Sequence, residues 1–235
     1  MYNYPIYIFF SLAPSVIWLL FFLKKDIHPE SNRMILKIFF YGMVAALLTI
    51  LVELGFAQQI ERFQLSKSLS LIIYVFLGIA LVEEMMKYLV VKTQVLGHRE
   101  CDEPVDVVLY MIIAALGFAA LENLFILFPL VDPFQFFNTF ATSVFRFVGA
   151  TFLHALASGF IGYFLVLSFL NSKNGFKLRL AGIAIATALH GLYDFSIITI
   201  ESNLKFVIPI IILSLLAIFI SLGFKKVKKL KSVCF

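Results

Sequence analysis

Glu83, Glu84 and Lys87 stand inside an apolar run, Leu81-Val82-Glu83-Glu84-Met85-Met86-Lys87-Tyr88-Leu89-Val90. On a helix, Lys87 lies four residues from Glu83 and three from Glu84, so one ammonium reaches either carboxylate. The glutamates are about 100° apart around the axis and can share one interior wedge. Further along come Glu122-Asn123, Arg146, His154, and His190 with Asp194, all among apolar neighbours. His190 and Asp194 are again i,i+4, a spacing that lets a carboxylate orient an imidazole. Carboxylates and imidazoles in a shielded place suit hydrolysis. One Glu serves as general base on a water, and a His or a second acid protonates the leaving amine. A further His, supported by Asn or Asp, stabilises the tetrahedral oxyanion. The same set could instead hold a divalent metal such as zinc, drawn from Glu83, Glu122, His154 and His190.

These residues need elements to carry them, and the composition says which. Of 235 residues, 62% are hydrophobic and 14% charged, with a mean hydropathy of +1.00. Ordinary globular chains are about 45–50% apolar and about 25% charged. The apolar surplus comes in long runs, so the expected fold is all-α, a polytopic integral-membrane helical bundle in the lipid bilayer. Seven spans are drawn: Tyr4–Leu23, Met34–Ala57, Ser68–Val91, Val105–Leu130, Thr139–Leu170, Leu178–Ile200 and Phe206–Gly223. The fifth is long enough to tilt, kink or project. One integral-membrane domain, 1–235, is expected, with the site on spans within 68–200. The first span lacks a basic n-region and a small-x-small cleavage site, so it reads as a retained helix.

Basic residues in the connections fall thirteen on one side and three on the other. The richer side carries Lys24, Lys25, Arg33, Lys92, Arg99, Lys173, Lys177, Arg179 and the lysines of the tail. The positive-inside rule makes that side cytoplasmic, with the N-terminus outside. The net charge of +5 therefore anchors topology and calls for no nucleic acid. Cys101 and Cys234 both fall on the cytoplasmic side and read as reduced thiols. Asp102, Glu103 and Asp106, around Pro104, read as the capped start of the fourth span. Lys37 and Glu53 lie near span ends, where they can snorkel, and read as structural.

Six charged residues remain within the spans: Glu83, Glu84, Lys87, Glu122, Arg146 and Asp194. At about 3 kcal/mol each, exposing all six to lipid costs roughly 18 kcal/mol, more than a typical folding stability of about 5–15 kcal/mol. They must face one another or a wet cavity. Small residues say where: Gly182, Ala186, His190 and Asp194 form one i,i+4 row, and Ala150, His154, Ser158 and Gly162 another. Such rows let helices approach closely in lipid. Both histidines are thus expected on packed faces, in one interior cluster from spans three to six. A plain reading of Glu83, Glu84 and Lys87 is an ion pair that fixes helix packing. The rival from another class is a proton- or ion-coupled transporter, which also buries Glu, His and Asp. No paired repeat with broken helices supports it. A non-catalytic scaffold would not need a convergent acid–base set. His-Glu-x-x-His is absent, and so is Gly-x-Ser-x-Gly.

The ordered set Glu83-Glu84-x-x-Lys87, Phe118-x-x-x-Glu122-Asn123, His154 in a small-residue helix, and His190-Gly191-Leu192-Tyr193-Asp194 resembles the PrsW family of bacterial intramembrane proteases. That family is similar to the CAAX prenyl endopeptidases. The resemblance covers Leu81 to Phe195. It implies a multi-pass protease of the bacterial cell membrane that makes the first, extracytoplasmic cut in a single-pass anti-sigma factor, within a stress response. It implies Glu83 as general base with Glu84 assisting, His154 holding the water or the oxyanion, and His190 with Asp194 completing the site. Lys87, Asn123 and Arg146 would support these. The CAAX-type pattern has Glu-Glu-x-x-x-Arg, and a His where Glu122 stands, so its second-motif role does not carry over directly to Glu122. The family is described both as metal-dependent and as glutamate-based, and these residues permit either.

Overall fold

The computed structural model describes residues 4–26, 28–128, 136–171 and 173–230. Seven helical stretches in it are long and apolar enough to cross a bilayer, and no strand occurs among the described residues. In chain order the helices are α1 (Tyr4–Leu23), α2 (Asn32–Arg62), α3 (Lys67–Ile73), α4 (Leu81–Gln94), α5 (Pro104–Leu127), α6 (Phe136–Val148), α7 (Ala150–Leu170), α8 (Gly175–Thr199) and α9 (Val207–Val227). A π-helical stretch, Tyr74–Ala80, joins α3 to α4, and a 3₁₀ turn, Asn203–Phe206, leads into α9. The spans occur where the hydropathy places them. Their ends differ where polar helix formers follow an apolar run. Helix α2 passes Ala57 to reach Arg62 through Gln58, Gln59 and Glu61, because Gln and Glu cost a helix little. The expected end of the fourth span at Leu130, like Cys234, lies outside the described residues.

Helix α5 is the axis of the bundle. Its residues 107–121 carry no charge on any face, and a helix apolar all round belongs in the interior. It packs most extensively against α7, α2 and α1. Its start is capped as its sequence suggests: Pro104 takes the first helical position, and the Glu103 amide donates to Asp106 Oδ2 at 2.7 Å. Against α2 the two backbones touch. A Cβ on Gly117 would collide with the Phe39 carbonyl, and one on Gly42 with the Ala114 carbonyl. Only glycine permits a crossing this close.

The fifth span is broken. Gly149, at φ −104° and ψ −100°, separates α6 from α7 five residues before His154. The freed Phe147 carbonyl accepts from the Trp18 indole at 2.8 Å. Trp18 also stacks on Phe152, with centroids 4.1 Å apart, so α1 holds the break from the side. The third span is irregular as well. Its π-helical stretch ends three residues before Glu83, and such widened turns often accompany functional sites. At the end of the bundle where α4 gives way to α5, Cys101 is buried. Burial, together with the charges of Asp106, Glu30 and Asp102, pushes its thiol up to about 12.

Candidate active site

Four helices bring the polar groups together. Helix α4 supplies Glu83, Glu84 and Lys87; α5 supplies Glu122 and Asn123; α7 supplies His154 and Ser158; α8 supplies His190 and Asp194. Arg146 reaches in from α6. The i,i+4 rows explain the placement. Gly162 of α7 rests on the Val108 backbone of α5, and Gly182 of α8 on Phe164 of α7, so both histidine faces are packed inward. The π-helical stretch sets the α4–α8 register. The Phe76 ring lies over Gly191, where a Cβ would come within 2.7 Å of it, and this seats Glu84 against the neighbouring His190.

Lys87 is the centre. It has no exposed surface, and its ammonium donates to Glu84 Oε1 at 2.9 Å, to Glu83 Oε2 at 3.0 Å and to His154 Nδ1 at 2.7 Å. Three N–H groups thus meet three acceptors. The Phe118 ring lies 4.4 Å from the same nitrogen and adds a cation–π contact. An ammonium only donates, so His154 Nδ1 must accept and its Nε2 carries the proton, facing Glu122 Oε2 at 2.8 Å. Arg146 Nη2 donates to the same Glu122 oxygen at 2.8 Å. Arg146 Nε also donates to Asn123 Oδ1, while Asn123 Nδ2 donates to Thr151 Oγ1 and to the Ser11 carbonyl. His190 lies between carboxylates, with Nδ1 2.9 Å from Glu84 Oε1 and Nε2 3.3 Å from Asp194 Oδ2. The two imidazoles meet edge to face, 5.1 Å between centroids.

The paired glutamates differ in their bonds. Glu84 is wholly enclosed and takes hydrogen bonds from Lys87, His190 and Ser158, the last at 2.9 Å. Glu83 keeps 6% exposure and takes one short bond, from Lys87. Its Oε2 lies 3.6 Å from His154 Nδ1 and 3.9 Å from His190 Nε2, both beyond direct hydrogen-bond range. Exposure rises outward, to 14% at Arg146, 25% at Asp194 and 30% at Glu122.

The donors also suit a metal. Glu83, His154 and His190 present ligand atoms all within 4.8 Å of one another. Two His and one Glu form a known catalytic zinc set, and tetrahedral ligands at about 2.0–2.2 Å stand about 3.4 Å apart. Each imidazole has a carboxylate on its other nitrogen, Glu122 for His154 and Glu84 for His190, the usual outer support of a metal-binding His. The fit carries two conditions. Lys87 uses the His154 Nδ1 lone pair and the Glu83 oxygen that a metal would need, so its ammonium must draw back toward Glu84. His190 Nε2 faces Asp194 Oδ2 at 3.3 Å and must turn its lone pair to the metal instead.

All nine residues singled out from the sequence lie in this one network. The sequence reading missed Ser158 as a donor, having placed it only as a small packing residue. It also set Glu53 aside as structural. Glu53 is half-buried on α2, within electrostatic reach of Glu83 and Glu122. The available signal was a lone carboxylate in Leu51-Val52-Glu53-Leu54, two turns inside the helix end.

A multi-pass bundle enclosing a carboxylate–imidazole centre between its spans is the architecture of an intramembrane enzyme. Comparison with known proteins supports this and narrows it. The chain belongs to the PrsW family of intramembrane metalloproteases, whose sequence model matches residues 30–223. It is 31% identical to Protease PrsW of Geobacillus kaustophilus (strain HTA426) over 193 residues, 81% of this chain and 79% of that one. It is 25% identical to Protease PrsW of Bacillus subtilis (strain 168) over 225 residues, 95% of this chain and 94% of that one. Protease PrsW of Clostridioides difficile (strain 630) is also 25% identical, over 86% of this chain and 82% of its own length. No solved structure matches significantly. The chain is an intramembrane peptidase and a multi-pass membrane protein.

Proposed function

We propose that this single membrane domain cuts a single-pass membrane protein of the anti-sigma factor class, near the extracytoplasmic surface of the bacterial cell membrane. Glu83 is the base that activates water. The observation behind this is the unequal bonding of the two glutamates. Glu84 has three hydrogen bonds and no exposure, whereas Glu83 has one short bond and an oxygen set between two imidazoles. Glu83 therefore has acceptor capacity left for a water, and Glu84 holds Lys87 and His190 in place.

The steps follow from this placement. Glu83 Oε2 takes a proton as the water oxygen attacks the scissile carbonyl carbon. Negative charge develops on the carbonyl oxygen, and the protonated face of an imidazole, with Lys87 and Arg146 nearby, offsets it. The proton passes to the amide nitrogen as the C–N bond breaks, and Glu83 is a carboxylate again. His154 and His190 are held in fixed orientation by Glu122 on one side and by Glu84 and Asp194 on the other. Arg146 in turn fixes Glu122, and Asn123 holds Arg146. In a metal-assisted form, a divalent metal held by Glu83, His154 and His190 would polarise the carbonyl and lower the pKa of a bound water, and Glu83 would then be a ligand instead of the free base.

The test is cleavage of a tagged single-pass anti-sigma factor by purified protein in proteoliposomes, with and without a chelator. Glu83→Gln keeps the shape and removes the base, so cleavage should fall about 10²–10⁴-fold while folding is retained. Cleavage by Glu83→Gln at the wild-type rate would assign the base elsewhere. Full loss of wild-type activity with chelator, restored by zinc, selects the metal-assisted form.

A further inference from the structure

We propose that the groove between the α6–α7 break, α8 and α9 is where the substrate's membrane-spanning chain enters and unwinds toward the site. This rests on the peptidase reading above. The groove has a volume of about 640 Å³. Its outer walls are exposed apolar side chains, Ile198 of α8 and Ile210 of α9 among them. Its inner wall includes Arg146 and Asp194, which bond Glu122 and His190 respectively. The groove is therefore continuous with the hydrogen-bond network of the site.

Three observations select a peptide as the occupant. The first is the exposure gradient, in which Asp194, Arg146 and Glu122 are the open edge and Glu83, His154 and His190 the closed floor. A chain reaching Glu83 arrives by that edge. The second is chemical. A helix must unwind to offer a peptide bond to a base, and unwound backbone in an apolar setting needs hydrogen-bond partners. Arg146 and Lys205 donate, Asp194 accepts, and the Tyr193 hydroxyl does both, all four along an otherwise apolar groove. The mixture of signs suits neutral peptide N–H and C=O groups better than a lipid headgroup. The third is the contrast with the groove between α1, α7 and α9. That groove of ≈ 520 Å³ carries Lys25, Lys225 and Lys228 and touches none of the acidic or imidazole residues of the site.

The test fills the groove and asks whether cleavage responds. The probe is a single-pass anti-sigma factor tagged at both ends, reconstituted with the full chain in proteoliposomes. Ile198→Trp and Ile210→Trp place bulk in the groove without touching the network. Leu51→Trp on α2 and Leu215→Trp on α9 place the same bulk on exposed positions outside it. The groove variants should cleave roughly tenfold more slowly or worse, as misplaced substrates do, with wild-type helicity and unfolding midpoints. The control variants should cleave normally. In parallel, a photoreactive phenylalanine at position 210, in a Glu83→Gln background, should join to the substrate, and the same residue at position 51 should not. Groove variants that cleave at the wild-type rate, or equal cross-linking at positions 51 and 210, would overturn the groove while leaving the peptidase reading standing. Absence of any cleavage by the wild type would overturn the anti-sigma factor reading of the substrate, and with it the groove as that substrate's entry.

Discussion

Replacing Lys87 with Met removes the ammonium that bonds both paired glutamates. The wild-type ammonium has no exposed surface and meets three acceptors at 2.7, 2.9 and 3.0 Å. Methionine fills similar volume, so the change is electrostatic. It leaves Glu83 and Glu84, 6% and 0% exposed, facing each other without their shared counter-charge. Breaking a buried pair by removing one partner costs about 3–5 kcal/mol. That is a large part of a typical stability of about 5–15 kcal/mol. Metal-free Lys87→Met should therefore unfold at a distinctly lower mole fraction of SDS in mixed micelles, followed by helical circular dichroism. Two further measurements identify the cause. Adding Glu84→Gln to Lys87→Met removes the surplus charge and should recover part of the loss. Zinc should stabilise Lys87→Met more than the wild type, because the ammonium no longer competes at His154 and Glu83. Zinc at a hundred times its dissociation constant adds about 2.7 kcal/mol. A metal-free Lys87→Met with the wild-type midpoint would refute the counter-ion role, and equal zinc effects would refute the competition.

Gly191→Ala places a Cβ 2.7 Å from the Phe76 ring. It should cost about 1–3 kcal/mol of stability and lower cleavage, since it pushes His190 away from Glu84; an unchanged unfolding midpoint and rate would show that the contact does not set the register. Cys101 should resist alkylation in a Cys234→Ser background. With its thiol pushed up to about 12, about one molecule in 10⁴ is thiolate at pH 8. In the folded protein the thiolate fraction reaches about one half only as pH approaches 12, so maleimide labelling at pH 8 should appear only after unfolding. Reporter fusions should place Ser202 outside and Lys173 inside the cell, following the thirteen-to-three division of basic residues. The reverse pattern would invert the orientation.

The sequence by itself determined the parts of this protein that depend on local spacing and on transfer from water. Seven apolar runs become seven crossings because a bilayer demands about twenty apolar residues and satisfied backbone. Glu83–Lys87 and His190–Asp194 were legible as pairs because residues four apart on a helix are neighbours whatever surrounds them. That the charged residues face one another followed from the cost of leaving them in lipid. Which carboxylate meets which imidazole was decided only by the tertiary structure. His154 turns Nδ1 to Lys87 and Nε2 to Glu122, and Ser158 binds Glu84, because of how far α4, α5, α7 and α8 rotate and slide against one another. Those rotations are set by contacts between residues far apart in sequence, such as Gly117 on Phe39 and Phe76 on Gly191. The break at Gly149 is likewise a tertiary outcome. A glycine inside a long apolar run permits a break, but the Trp18 indole on the Phe147 carbonyl holds it open. Glu53 shows the same division: near a span end a carboxylate can reach water, and only the packing of α2 beside α4 and α5 brings it within electrostatic reach of Glu83 and Glu122.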